Sequence, residues 1–393
     1  MAEKDWFMMF PEHYTWSAAV VSAIGSSRWG GGEVGEISKV CAALRGRVGE
    51  GQAWFSEWNK MGEKVAALAQ EAEGKGYQQT ASAAYMRAGH YIQIGERLLQ
   101  PRTSESQKAY ARSVELFKKG IPHYSFLSVE AVEVPFEGAK SLPAYFVKTI
   151  TPNPVSWPTV VFFDGLDVTK EMQFFRGVPE LAKRGMACLV IDGPGNGESI
   201  RFRGMSLRYD YNVAGTAAVN YLETRKDVDK ENLGVMGISL GGYYAPRCAA
   251  FEKRFQACVS WGAIYDYYAT WKNRIEKQFK TALSVPGEHI NWVLGVKSFE
   301  EALKKLENFT LKGVASKVTC SYLLTHGEED AQITTEDARK LFDEVSSKDK
   351  TFKVFTREEG GSQHCQRDNI TIGSAYIADW LCDRLVRKVG RSK

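Results

Sequence analysis

Ser239 lies in Gly237-Ile238-Ser239-Leu240-Gly241, a G-x-S-x-G pattern that follows the apolar run 233–236 and precedes a helical pattern at 242–251. A strand, a tight turn and a helix in that order can lift a serine hydroxyl clear of the backbone and aim helix N–H groups at developing negative charge. Serine alone is a poor nucleophile at neutral pH, so it needs a base, and the base needs a partner that fixes its tautomer. Both follow it in the chain. Asp330 closes His326-Gly327-Glu328-Glu329-Asp330 after the strand pattern 319–324, and His364 closes Gly360-Gly361-Ser362-Gln363-His364 between the strand pattern 351–355 and the last helix. Serine, acid, histidine is the order required of a hydrolytic triad on this arrangement. Glu328 and Glu329 rival Asp330 as the acid, and Asp266 is a weaker rival.

Of the six histidines, His326 sits at a strand end and reads as a hydrogen-bonded structural residue. His13, His90 and His123 fall in the N-terminal region. His289 falls in a later insertion, where it can touch substrate. No H-E-x-x-H pair or similar ligand spacing is present, so neither a metal nor a cofactor is expected. Cys365, beside His364, reads as a bland neighbour rather than a nucleophile.

An acyl-transfer site also needs donors for an oxyanion. The backbone N–H of Leu240, just after the serine, supplies one. Leu166, in Phe163-Asp164-Gly165-Leu166-Asp167, supplies the second. A carboxylate at Asp167 opposes an oxyanion unless it is protonated, turned away or bound to a substrate hydroxyl; substrate binding or proton handling competes with plain loop structure. Tyr243, Tyr268, Trp271 and His289 complete the candidate substrate contacts. The turn 192–199 superficially matches a glycine-rich nucleotide loop, but its proline and spacing depart from that fingerprint, and it reads as a tight strand-to-helix connection.

Residues from about 15 to 120 show apolar positions three and four apart, predicting helices over 37–44, 51–72, 78–99 and 104–119. Their aromatic stripe (Trp54, Phe55, Trp58, Tyr85, Tyr91) reads as core packing. From 128 the character changes. Strands are predicted at 128–135, 142–149, 159–163, 187–191, 233–236, 257–261, 319–324 and 351–355, alternating after the third with helical patterns at 174–184, 211–224, 242–251 and 335–345. That alternation predicts an α/β fold: a mostly parallel sheet begun by an antiparallel hairpin and covered on both faces. The expected divisions are 1–125, an N-terminal helical cap or accessory region; 126–264, the first part of the core; 265–312, a helical lid insertion; and 313–393, the second part of the core. The insertion's aromatic residues (Tyr265, Tyr267, Tyr268, Trp271, Phe279, Trp292) suit a lid that joins the N-terminal helices over the carboxyl edge of the sheet.

With 393 residues, 44% of them hydrophobic, and a formal charge of only +4, the chain can bury a full core and carries no block of basic residues. Neither nucleic acid nor membrane is expected as a partner. The opening residues, with Glu3, Lys4 and Asp5, lack the apolar run of a secretory signal. Seven scattered cysteines argue against a disulfide framework. A cytoplasmic location is the corresponding expectation.

The elbow 237–243, the Gly165-Leu166-Asp167 loop followed by Lys170-Glu171, the Asp192-Gly193-Pro194-Gly195 turn, the late Asp330 and His364, and the N-terminal helices together resemble a subgroup of α/β-hydrolases. It contains 2,6-dihydroxypseudooxynicotine hydrolase and the fungal polyketide-shortening hydrolases of pigment pathways. The resemblance spans most of the chain. It implies cleavage of a carbon–carbon bond beside a ketone in an aromatic or polyketide-like small molecule, in secondary metabolism, and a possible homodimer formed through the N-terminal helices. Phe163-Asp164 departs from the Gly-Gly-like sequence expected before the Leu-Asp pair. An esterase, a lactonase or an acyl-transferring cyclase would use the same triad. A cyclase or dehydratase working without an acyl-enzyme and a non-catalytic binding protein are the readings from other classes.

Overall fold

The computed structural model describes residues 6–124, 126–151 and 154–388. Glu3, Lys4 and Asp5 lie outside the described residues. Five helices come first: α1 (Tyr14–Gly25), α2 (Val34–Leu44), α3 (Gly51–Gly74), α4 (Gln78–Arg97) and α5 (Ser104–Gly120). Their knitting is aromatic. Trp16, Trp54, Trp58 and Tyr91 form a chain of ring contacts, and Trp54 Nε1 donates to the Ile94 carbonyl at 2.9 Å. The stripe is core, as its spacing predicts. The α1 span, rich in Ala, Ser and Val, is the part that the sequence pattern marks least sharply.

The hairpin β1 (Leu127–Phe136) and β2 (Lys140–Thr149) opens an eight-stranded sheet. It continues with β3 (Trp157–Phe163), β4 (Ala187–Ile191), β5 (Val228–Ile238), β6 (Phe255–Trp261), β7 (Ser321–Gly327) and β8 (Lys350–Phe355). The order is β1-β2-β4-β3-β5-β6-β7-β8; β1, β2 and β4 pair antiparallel and the remaining pairs are parallel.

Strand side chains alternate between faces, and the core divides accordingly. Val160 and Phe162 of β3 pack on one face with Phe174 and Val178 of α6 (Lys170–Lys183) and with Ile377 and Leu381 of α14 (Ile370–Leu385). Val161 and Phe163 pack on the other with Ala218 of α8 (Asn212–Thr224) and Ala245 of α9 (Gly241–Phe251). Because both faces are covered, the central strands are apolar almost throughout. The remaining core helices are α7 (Gly197–Arg201) and α13 (Thr335–Glu344), while residues 265–312 hold α10 (Tyr267–Glu276), α11 (His289–Leu294) and α12 (Phe299–Leu306). This is an α/β-hydrolase fold. Among the described residues no helix is long and apolar enough to cross a membrane.

The chain leaves β3 toward β4 on one side and returns to β5 on the other. The carboxyl ends of β3 and β5 therefore lie together at a switch in strand order, with Phe163 opposite Gly237 in register. Open α/β sheets bind ligands at such a point.

Candidate active site

Ser239 follows β5 with φ 58°, a left-handed conformation that is costly for a residue with a side chain. The neighbouring glycines permit it. A Cβ at Gly237 would stand 2.1 Å from the Gly241 carbonyl oxygen, and one at Gly242 would stand 2.0 Å from the Gly262 carbonyl oxygen. Ser239 N donates to Trp261 O at 2.8 Å and Gly242 N donates to Ser239 O at 2.7 Å, which pins the turn on both sides.

Ser239 Oγ lies 2.8 Å from His364 Nε2, and His364 Nδ1 lies 2.7 Å from Asp330 Oδ2. An Nδ1–H donated to the carboxylate leaves Nε2 free to accept the serine proton. The backbone N–H groups of Gln332 and Ile333 donate to Asp330 Oδ1 at 2.8 and 3.1 Å. Burial opposes the charge on Asp330, but His364 and these donors hold the carboxyl at about 2. Burial lowers the His364 imidazole below its ordinary value, with Asp330 working against that shift. The rival acids are elsewhere: Glu329 accepts from Ser362 Oγ, Glu328 from Arg357 N, and Asp266 caps α10 through Ala269 N. His326 is buried with Nε2 3.1 Å from Ile333 O, in the structural place expected of it. Cys365 donates its thiol to Trp261 O, and burial pushes it up to about 12.

Across from Ser239 runs the loop 164–169. A Cβ at Gly165 would sit 3.2 Å from both Ser239 Cβ and Ile238 O, so glycine lets the loop lie this close without a shift. Its carbonyls are held from behind. Asn196 Nδ2 donates to Gly165 O at 2.7 Å and to Val168 O at 3.0 Å, while Arg97 donates to Leu166 O at 2.9 Å and Asp167 O at 2.7 Å. In a trans peptide the N–H points opposite to the preceding C=O. The Leu166 N–H is thus turned away from Asn196, and the Leu240 N–H away from the helix that binds Ser239 O. Among the described residues neither N–H has an acceptor. The pair can receive an oxyanion.

The turn 192–199 is the tight connection its sequence predicts, and it carries Asn196. Asp192 accepts from Lys170 N, Lys170 Nζ and Glu198 N, and Lys170 also reaches Glu171 and Glu198, so a buried ion cluster anchors the turn to α6.

Several candidate substrate contacts lie elsewhere. Asp167 is buried against Arg201 and Arg102, with His289 Nε2 at 2.9 Å; burial raises its carboxyl, but Arg201 and His289 outweigh this and hold it well below the usual carboxylate range. His289 is itself buried and held to about 4, its other ring nitrogen 2.9 Å from Gln100 Nε2. Asp167 is therefore a structural counter-ion, turned away from the loop's reactive side. Tyr243 is fully buried and donates to Tyr209 O; Trp271 is fully buried against Tyr267, and Tyr268 is packed partly buried on the same core. The insertion's aromatic residues pack into or against the core, and of the insertion only Ser284 reaches the space over Ser239.

What occupies it is the N-terminal bundle. A cavity of about 50 Å³ beside Ser239 and His364 is lined by α1, the turn after it and α4, through Ala18, Ser22, Ser26, His90, Ile94 and Arg97, and by Leu166, Met172, Arg176 and Arg367. Sequence reasoning missed α1 and Arg176. The small residues Ala18, Ala19, Ser22, Ala23 and Ser26, one helical face without bulk, were the available signal. Among the described residues no group of three or more His, Cys, Asp or Glu side chains is placed to hold a metal ion.

Fold and site together define an enzyme, an α/β-hydrolase. The chain belongs to the prolyl oligopeptidase family, whose model matches residues 172–386, a stretch that includes Ser239, Asp330 and His364. It is similar over nearly its whole length to hydrolase acrC of Aspergillus aculeatus, 29% identical over 93% of this chain and 96% of that one. The 20-hydroxy-prefusarin hydrolase FUS2 of Gibberella moniliformis is 28% identical over 91% and 93% of the two chains. The crystal structure of 2,6-dihydroxy-pseudo-oxynicotine hydrolase superposes with a TM-score of 0.76 at 27% identity, covering 93% of this chain and 96% of that one. The resemblance drawn from the sequence is thus present at full length, N-terminal helices included.

Proposed function

We propose that the protein hydrolyses a carbon–carbon bond beside a ketone in an aromatic or polyketide-like small molecule, through an acyl-enzyme on Ser239. The observation that carries this reading is the unbroken line Asp330, His364, Ser239, at 2.7 and 2.8 Å, with the acceptor-free Leu240 N–H next in the chain and the loop that bears the acceptor-free Leu166 N–H lying against Ser239. Full-length similarity to 2,6-dihydroxy-pseudo-oxynicotine hydrolase and to 20-hydroxy-prefusarin hydrolase supports the choice of bond.

Ser239 Oγ adds to the ketone carbon as its proton passes to His364 Nε2, and Asp330 stabilises the imidazolium. The Leu166 and Leu240 N–H groups hold the resulting oxyanion. Its collapse restores the carbonyl and breaks the carbon–carbon bond, whose electron pair leaves on an enolate carbon that takes the proton from His364. An ester on Ser239 remains. Water then loses a proton to His364 and attacks the ester carbonyl. The second collapse frees a carboxylic acid and returns the proton to Ser239. One water is consumed for each bond cleaved.

Mass spectrometry of products formed in oxygen-18 water from an aryl β-diketone and a matched aryl ester tests the reading. Diketone cleavage with label in the acid product is the expected result. Cleavage of the ester alone overturns it and leaves an esterase.

A further inference from the structure

The cavity beside Ser239 is cationic in a way that the acyl-transfer chemistry does not require. Arg176, from α6, and Arg367, from the short 3₁₀ segment His364–Asn369, both line it. Among the described residues the Arg176 guanidinium makes no hydrogen bond and no ion pair, and Arg367 uses only its Nε–H, on His364 O at 3.2 Å. Both line a second lobe of about 30 Å³ as well, which runs between Gly25, Phe175 and Ile370. Arg97 adds a third positive group, its donors spent on the carbonyls of Leu166, Asp167 and Ser284.

The acids around the cavity do not balance these cations. Asp330 is engaged by His364 and two backbone N–H groups, and Asp167 by Arg102, Arg201 and His289. Asp164 is buried with neither carboxyl oxygen bonded, and burial followed by Asp192 pushes it well above the usual carboxylate range, with Arg176 and Lys170 working against that shift. Burial and then the neighbouring Arg367 pull Arg176 down to about 10, still protonated at neutral pH. A partly buried guanidinium with no carboxylate hydrogen-bonded to it is unfavourable on its own, and its planar fork matches a carboxylate with two parallel hydrogen bonds.

We propose that the substrate carries a carboxylate, that this group binds in the cavity between Arg176 and Arg367, and that the enzyme thereby prefers acidic substrates to their neutral amides. The proposal rests on the acyl-enzyme reading only for the position of the reacting carbonyl.

The test compares two matched pairs on the purified full-length chain: an aryl β-diketone bearing a terminal carboxylate against its primary amide, and the corresponding pair of aryl esters. The expected result is a kcat/KM at least about tenfold higher for the acid of a cleaved pair, mainly through KM, a size set by one or two charge-assisted hydrogen bonds. Arg176→Met and Arg367→Gln should each lower that acid-to-amide ratio, and Arg176→Lys should retain part of it. A ratio near one in the unaltered protein overturns the proposal, as does a ratio unmoved by both Arg176→Met and Arg367→Gln. If Arg176→Met fails to fold, the unaltered protein and Arg367→Gln decide. Discrimination between the esters with no diketone cleavage sinks the carbon–carbon reading and upholds this one; diketones cleaved without discrimination do the reverse. If neither pair turns over, ligand-observed NMR with benzoate and benzamide decides: selective binding of benzoate supports the carboxylate site, and equal or absent binding overturns it.

Discussion

Arg97 donates Nη2–H to the carbonyl oxygen of Leu166 at 2.9 Å, so a helix of the N-terminal bundle grips the loop that lines the cavity beside Ser239. The bundle is therefore part of the site's machinery as well as its roof. Asn196, on a turn of the core, holds the same loop from Gly165 and Val168.

Removing either grip should loosen the Leu166 N–H without touching the triad. Asn196→Ala and Arg97→Met are each expected to lower kcat by about 10- to 100-fold, below the loss from deleting an oxyanion donor outright. Each should also destabilise the fold by about 1–3 kcal/mol, because buried carbonyls lose their donors. Steady-state kinetics and thermal melting check both.

Ser239→Ala should abolish turnover and labelling by a serine-directed phosphonate. Asp330→Asn should leave the fold intact and cut kcat by about 10⁴-fold, since an amide stabilises the wrong imidazole tautomer. Mass spectrometry of the phosphonate adduct locates the nucleophile, and an adduct elsewhere would remove Ser239 from that role.

Because burial lowers the His364 imidazole, the acid limb of kcat/KM should fall below pH 6.5, with activity lost as His364 takes a proton. Stability should move in the same direction. His90 and His289 are each held to about 4 by burial, so the unfolded chain binds more protons than the folded one between about pH 6.5 and 4. Falling pH then favours unfolding, by up to about 1.4 kcal/mol per pH unit for each site within its window. Melting temperature against pH should show the decline, and His289→Gln should make it shallower.

Gly165→Ala places a methyl 3.2 Å from Ser239 Cβ, a contact that a small shift of the loop relieves. The expected outcome is a folded protein with kcat lowered by about tenfold or more. Gly242→Ala meets a backbone carbonyl at 2.0 Å, which cannot yield in the same way. That variant should fail to accumulate as folded protein, as read by soluble yield and circular dichroism.

The strands and helices around Ser239 were readable because their signals are local: apolar runs of strand length, glycine-flanked turns and helical spacing lie within a few residues of one another. Ser239, Asp330 and His364 were readable for a related reason, since each lies in the connection that follows a strand and chain order limits which acid and which histidine can meet the serine. Tyr243, Tyr268, Trp271 and Asp167 show where that reasoning stops. An aromatic residue in a helix looks the same whether it faces a ligand or a neighbouring helix, and a carboxylate in a loop looks the same whether it faces substrate or two buried guanidinium groups and a histidine.

By itself, the order of residues determined the α/β architecture, the strained serine turn and the three side chains that line up at 2.7 and 2.8 Å. Only the tertiary structure decided which helices and side chains of the cap close over them. The small face of α1 and the reach of Arg97 and Arg176 into one cavity depend on how helices far apart in sequence pack over the switch in strand order. Such long-range packing is governed by shape and by the balance of buried charge, neither of which leaves a periodic mark in the sequence.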